Sequence, residues 1–313
     1  MSVTGTGRDP AVAWRRFEEH RAHLMGVAYH LLGSVGEAED AVQETYLRLA
    51  RTDLAAIGDL RSWLTTVVTR ICLDQLTSAR ARRERYAGPW LPEPVVEPVA
   101  ALGPEERIAL VDSVGYAMLV VLESLSPAER IVFVLHEAFG FTHAEIARIT
   151  GRHETACRQL LARARRHVTE RAPRFTPDRE EHRTAVTAFL RAAAHGDLDE
   201  LAGVLDPRVV LRSDGGGHAP AARRPVTGAH NVARLLLGAA ARDRTVWCLT
   251  AVNGSTGAIF THDGRVVGVM AFTVLDGRVS AIDFVINPEK LRHLGRDRRP
   301  RISPLRNGVI DHD

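Results

Sequence analysis

Apolar positions recur first at helical spacing and, in the last third of the chain, at strand spacing. From Ala11 to Leu32, the residues Trp14, Phe17, Leu24, Val27, Ala28 and Leu31 lie three or four apart and predict an amphipathic helix. Gly33-Ser34 breaks the pattern. Ser34 with Glu37 three residues later predicts a capped restart. The helix that follows, through Arg51, turns Ala38, Ala41, Val42, Thr45 and Leu49 inward. It leaves Glu37, Glu39, Asp40, Gln43 and Glu44 on an acidic, amide-bearing outer face. A loop over 53–59 leads into a long predicted helix, Asp59–Arg85. Leu60, Trp63, Leu64, Val67, Val68, Ile71 and Leu76 supply its core face, and Arg61, Arg70, Arg80, Arg82, Arg83 and Arg85 supply positive charge.

Pro89, Pro92, Pro94 and Pro98 make Tyr86–Gly103 an extended, stiff linker. Trp90 inside it is read as an anchor, because an exposed indole forfeits the benefit of burial. A helix begins at Pro104. At Ser126-Pro127 a new one starts with a hydroxyl cap, a proline in the first turn and Glu129 closing a capping box. Ile131, Val132, Val134 and Leu135 form its buried stripe. Thr142 and Glu145 repeat the box. Ala144 and Ala147 are small where two helices are expected to cross, and Thr150-Gly151-Arg152 makes a turn in which Gly151 can take positive φ. The next helix places Ala156, Leu160, Ala164 and Val168 inward. Thr155, Arg158, Gln159, Ala162, Arg163 and Arg166 fall outward. This is the pattern of a helix-turn-helix, with His153 standing where a Ser, Thr or Asp cap is usual. Between Arg158 and Arg174 six arginines face one acid, Glu170. Arg and Gln suit base edges and the further arginines, Arg165 among them, suit phosphates, so this face is expected to bind DNA.

After Pro173 two helices, Arg179–Ala194 and Leu198–Leu205, precede strand-like runs at 208–212, 245–252, 258–262, 265–275 and 279–286, with a helix over 230–242 between the first two. Asp276-Gly277 marks a type I′ hairpin. The predicted fold class is two all-α domains, the second with the helix-turn-helix, followed by an α+β cone with a curved antiparallel sheet. The domains are set at 11–86, 104–173 and 179–294, with a linker at 87–103. The tail, 295–313, and Met1–Pro10 are read as disordered.

Composition alters this picture little. The 313 residues carry a net charge of +3, so the basic character is local. Lys290 is the single lysine. Three distant cysteines and fourteen scattered histidines form no metal-ligand spacing, so neither metal nor cofactor is expected. No signal peptide and no run of membrane-spanning length is visible, which predicts a cytoplasmic protein that does not enter a membrane.

Three stretches together resemble bacterial sigma factors of the extracytoplasmic-function group: AEDAVQETYLRL (38–49), LRSWLTTVVTRICLDQL (60–76) with the arginines after it, and LSPAERIVFVLHEAFGFTHAEIARITGRHETACRQLLARARR (125–166). They stand in the family's order and cover about half the chain. The resemblance implies a promoter-specificity factor with core RNA polymerase and promoter DNA as partners. Asp40, Gln43 and Glu44 then correspond to the polymerase-binding face. The loop 51–58 corresponds to the segment that captures an unstacked −10 base, with Arg61, Arg70, Arg80, Arg82 and Arg83 on −10 DNA. Thr155, Arg158, Gln159, Arg163, Arg165 and Arg166 correspond to the −35 reader. The last third resembles the SnoaL-like branch of the nuclear-transport-factor-like fold, which a subgroup of sigma factors carries. Its marks are WLPEP around Trp90, the run Asp214, Gly215, Gly216, Gly217, and the run Asn287, Pro288, Glu289, Lys290, Leu291. These imply regulation in cis, with no separate anti-sigma protein required.

Two rival readings concern the cone. As an isomerase- or cyclase-like enzyme it would need a general base, for which Asp283 and Asp214 are the candidates, but no acid–base partner can be named for either. The plain alternative is that Asp283 is hydrogen-bonded structure and Asp214 turn chemistry, leaving no catalytic residue. As a sensor, the cone would bind an unknown small ligand without turning it over.

Overall fold

The computed structural model describes residues 10–83, 86, 88–96, 115–171, 178–240 and 245–294. Eleven helices or helical turns and six strands carry the argument below. The chain divides into two compact units. One comprises residues 10–83 and 121–170; the other comprises 86–96, 115–120 and 178–294, with the boundary falling inside a short helix (Tyr116–Leu122).

In the helical unit, α1 (Pro10–Leu32), α2 (Val35–Ala50) and α3 (Leu60–Arg83) pack mutually. Ser34 accepts from the Glu37 N–H at 3.1 Å and starts α2, whose Ala38, Ala41, Val42, Thr45 and Leu49 are buried as the spacing predicts. Trp14 departs from its expected place. It is 47% exposed and lies edge-on to Tyr46, because α2 covers Phe17 on the adjacent turn and leaves the indole at the rim.

α4 (Tyr116–Leu122) is followed by α5 (Pro127–Phe133), a π-helical turn (Val134–Ala138), α6 (His143–Thr150) and α7 (Glu154–Arg171). Both capping boxes, Ser126/Glu129 and Thr142/Glu145, form as expected. Gly151 ends α6 at φ 66°, the left-handed turn of the helix-turn-helix. Ala144 is exposed rather than at a helix crossing. The buried positions of α6 are Ile146 and Ile149, and those of α7 include Cys157 and Leu161 beside Leu160, Ala164 and Val168.

In the second unit, α8 (Arg179–His195) and α9 (Leu198–Gly203) precede β1 (Leu205–Asp214), β2 (Val226–Thr227), α10 (Ala229–Ala240), β3 (Val246–Val252), β4 (Ser255–His262), β5 (Arg265–Leu275) and β6 (Arg278–Val285). They make one open sheet in the order β2-β1-β6-β5-β4-β3. All neighbours are antiparallel except β1 and β6, which run parallel. That pairing joins the first long strand to the last, so it follows from chain-distant contact and has no signature in local spacing.

The last four strands form a meander with three two-residue turns. Asn253, Asp263 and Asp276 lie at φ 46–49°, each followed by a glycine at φ 72–77°. Three Asn/Asp-Gly pairs thus set the register of β3 through β6. The sheet has two covered faces. Phe189, Leu201, Val232, Met270, Phe272 and Ile282 form the core beneath α8–α10. On the other face Cys248, Val252, Ile259, Val269, Ala271 and Val285 pack with Leu91, Val96, Tyr116 and Leu291. The second face is therefore closed by linker residues.

Candidate nucleic-acid interface and linker clasp

The basic helix α7 presents Thr155, Arg158, Gln159, Arg163 and Arg166 to solvent along one stripe. The stripe exists because Cys157, Leu160, Leu161, Ala164 and Val168 take the opposite face. Arg158 pairs with Glu154 one turn back at 2.5 Å. Arg163 lies 3.5 Å from Glu129. Arg165, two turns after Arg158 and also exposed, binds Glu137 at 2.7 Å. Arg148 and Arg152 are also exposed, at the end of α6 and in the turn, and were not singled out by the sequence pattern. Exposed pairs of this kind contribute little to stability, so the guanidinium groups can be redirected to phosphates.

The second site joins the linker to the cone. Asp214 ends β1 with its side chain wholly buried and receives four donors. Tyr86 Oη (2.5 Å) and the Gly216 N–H (3.1 Å) bind Oδ1; the Leu91 N–H (2.9 Å) and Lys290 Nζ (2.7 Å) bind Oδ2. Lys290 Nζ also donates to the Leu91 carbonyl and lies 3.3 Å from the centroid of Trp90, a cation–π contact. Asn287 donates to Tyr86 Oη at 2.8 Å. Burial and the Asp214 carboxylate push the Tyr86 phenol far above its ordinary pKa, so it stays a donor.

Gly216 lies at φ 64°, and a Cβ there would overlap the Asn287 amide. Gly215 is equally constrained: its Cβ would strike the Ala219 carbonyl and the Ala221 side chain. Beyond Leu91 the linker runs extended. The Tyr116 hydroxyl donates to the Pro92 carbonyl (2.8 Å) and His293 Nε2 to that of Pro94 (2.9 Å). Val95 exchanges hydrogen bonds with Asn253, and Val96 bridges Val252 on the free edge of β3. The linker is bound as an added edge strand.

Of the residues the sequence placed together here, Trp90, Asp214, Gly216, Asn287, Lys290 and Leu291 converge. Gly217, Pro288 and Glu289 are solvent-exposed. Sequence reasoning missed Tyr86, Asn253, Tyr116 and His293. Only Asn253 carried a signal, as the Asn of an Asn-Gly turn. Asp283 is corrected as a candidate base. Both its oxygens face the Arg212 guanidinium, at 2.5 and 3.1 Å, so its carboxylate is committed to an ion pair. Among the described residues no group of His, Cys, Asp or Glu could hold a metal ion, and no helix is long and apolar enough to cross a membrane.

Comparison with known proteins decides the family. Residues 16–82 match Sigma-70 region 2 and residues 116–168 match Sigma-70, region 4. ECF RNA polymerase sigma factor SigJ of Mycobacterium tuberculosis is 42% identical over 286 residues, covering 88% of this chain and 91% of that one. The chain belongs to the ECF RNA polymerase sigma factors. A probable ECF sigma factor, SigI, of the same organism is 37% identical, covering 90% and 95% of the two chains. The crystal structure of M. tuberculosis SigJ superposes with a TM-score of 0.72 at 40% identity, over 90% of this chain and 98% of that one. The architecture, helical parts followed by a curved open α+β sheet, is therefore common to both.

In this sigma factor the region 2 helices and the helix-turn-helix share one body. Arg70 Nε donates to the Ile149 carbonyl of α6 at 3.2 Å. Arg130 of α5 is 2% exposed; it binds Glu123 at 2.7 Å and reaches the His30 carbonyl at 3.4 Å. Phe139 meets the rings of His23 and His30 edge-on at 5.5 and 5.8 Å. Asp40 and Gln43 are exposed on α2, and Glu44 pairs with Arg48 at 3.0 Å. Arg61 is exposed. The side chains of Arg80, Arg82 and Arg83, with residues 97–114 and 295–313, lie outside the described residues.

The two seam histidines lead to a pH prediction. Burial, first, and the charges of Arg61 and His20 hold His23 at about 4; burial, with Arg130 beside it, holds His30 at about 4. Both pKa values are depressed from 6.5, so the packed form binds fewer protons than the unpacked one. Its stability is full above pH 6.5 and falls as pH drops from 6.5 toward 4, by up to tenfold in the equilibrium per pH unit per imidazole. The urea midpoint of the helical unit is expected to fall between pH 7.5 and 5.5, and less so in His30→Gln. Equal midpoints at both pH values would remove these histidines as the cause.

Proposed function

We propose that this sigma factor binds core RNA polymerase through Asp40, Gln43 and Glu44, reads −10 DNA through region 2 and −35 DNA through α7, and is regulated in cis by its cone. One observation carries the regulatory part: the linker between the two Sigma-70 regions is tied to the cone by the Asp214–Lys290 pair. A linker held on the cone cannot also run freely between regions that reach separated promoter elements. The seam through Arg70, Arg130 and Phe139 supports the same reading, because region 4 packed on region 2 must detach to reach a −35 site. The cone thereby takes the place of a separate anti-sigma protein, and the protein acts in the cytoplasm, where polymerase meets DNA. Its commitment of Asp283 to Arg212 and of Asp214 to four donors favours a clasp over a catalytic pocket.

Genome-wide run-off transcription with core polymerase tests the reading. Full-length protein, or protein ending at residue 173, is expected to select a defined promoter set, and the two are expected to differ in yield. No selected promoter with either form would overturn the sigma assignment; equal yields would overturn the cone's role. For the polymerase face, reversing charge at Asp40 and Glu44 together is expected to weaken core binding at least about tenfold, as the loss of complementary charges at an interface does. A titration showing unchanged affinity would dismiss that surface.

A further inference from the structure

We propose that His136 and His143 form a proton-dependent phosphate contact on the flank of the recognition helix. The inference rests on the reading that α7 binds duplex DNA. His143 opens α6 and His136 lies on the π-helical turn; their ring centroids are 4.8 Å apart, tilted by 43°. His136 Nδ1 is 2.8 Å from the Phe141 carbonyl oxygen. A carbonyl only accepts, so Nδ1 carries the hydrogen and Nε2 of the neutral ring is a lone pair. Neutral, that nitrogen repels a phosphate oxygen; protonated, it donates to one.

The groups facing the pair are mixed in sign. From α7 come Arg158 and Arg165, which oppose protonation of His143, and Glu154, which favours it; Glu137, next to His136 in the chain, binds Arg165. Glu154 holds Arg158 and Glu137 holds Arg165. Partial burial, then His136 and Arg158, hold the His143 imidazole below its ordinary range, against the opposing pull of Glu154. In the free protein Arg158 and Arg165 thus oppose a proton on His143, and Glu154 offsets them in part. In a helix-turn-helix the first helix passes the DNA backbone while the second enters the groove. A backbone phosphate arriving beside α6 adds a negative charge next to two imidazoles, which raises their basicity and draws in protons. Histidine is the side chain whose charge changes in this pH range. Binding should therefore tighten as pH falls, through a contact to phosphate that carries no base preference.

The test uses the full-length protein and a 30-base-pair duplex of random sequence, by fluorescence anisotropy from pH 8 to 5.5 at fixed ionic strength. Affinity is expected to rise toward low pH by up to about tenfold per pH unit per imidazole, and the rise to be lost in His136→Gln/His143→Gln. His23 and His30 are common to both proteins and cancel in the difference. Calorimetry of the wild type in two buffers of different protonation enthalpy is expected to show proton uptake on binding, a readout independent of any variant. Equal pH slopes in wild type and double variant, or no proton uptake, would overturn the proposal. If the duplex binds in an Arg158-dependent way but without pH dependence, only this contact falls. If the duplex is bound at no pH even by the full-length protein in complex with core RNA polymerase, where region 4 is released from region 2, the DNA reading of α7 falls with it.

Discussion

Replacing Asp214 by alanine is expected to lower the unfolding free energy of the cone unit by about 3–5 kcal/mol, because it leaves a buried ammonium without its partner. Lys290 is 4% exposed, and neither the Leu91 carbonyl nor the Trp90 face can replace a carboxylate. The same change removes the acceptor for Tyr86 and for the Leu91 N–H, so the linker loses two of its ties as well. Asp214→Ala with Lys290→Met should recover much of the loss, since a buried pair replaced by apolar groups of similar size is often near neutral. Chemical denaturation followed by circular dichroism measures both. A single variant as stable as the wild type would show that the pair is not buried in solution. A double variant no better than the single would assign the loss to Tyr86 and Leu91. On the proposed competition between clasp and open form, altered run-off transcription by the double variant would tie its effect to regulation rather than to unfolding.

The second large effect falls on promoter binding. Arg158 and Gln159 lie on the exposed stripe of α7, in its first half, where a recognition helix meets base edges. Alanine at either is expected to cost about 1–3 kcal/mol on a selected promoter and to relax base preference at one position. Alanine at Arg166 is expected to weaken all sequences alike and to flatten the dependence of affinity on salt by about one phosphate. Arg165, paired with Glu137 in the free protein, should behave as Arg166 does or have a smaller effect. Competition binding with single-position promoter variants at two salt concentrations separates the roles. Uniform losses at Arg158, Gln159 and Arg166 would show that α7 grips the backbone without reading bases.

Local spacing made most of the helical part legible. Ser126/Glu129, Thr142/Glu145 and Gly151 are devices in which a side chain three residues away, or a missing one, closes a helix end, so four or five consecutive letters suffice to see them. One turn of the meander was read for the same reason, at Asp276-Gly277; the Asn253-Gly254 and Asp263-Gly264 turns carry the same signal and were recognised only in the structure. The errors came where burial depends on what another element covers. Trp14 fits a helical stripe yet lies at the rim, and Ala144 looks like a crossing residue yet faces water.

The sequence by itself determined the order of elements, their caps and turns, the cationic face of α7 and the distinctive runs around Trp90, Asp214 and Asn287. Those properties depend on neighbours within one or two turns of chain. Only the tertiary structure decided that β1 pairs in parallel with β6, that Arg70 and Arg130 tie region 2 to the helix-turn-helix, and that Asp283 is neutralised by Arg212. It alone brought Tyr86 to Asp214 across 128 residues and Lys290 to Leu91 across 199. A buried charge must find its partner wherever the fold delivers one, and sequence separation carries no record of that distance.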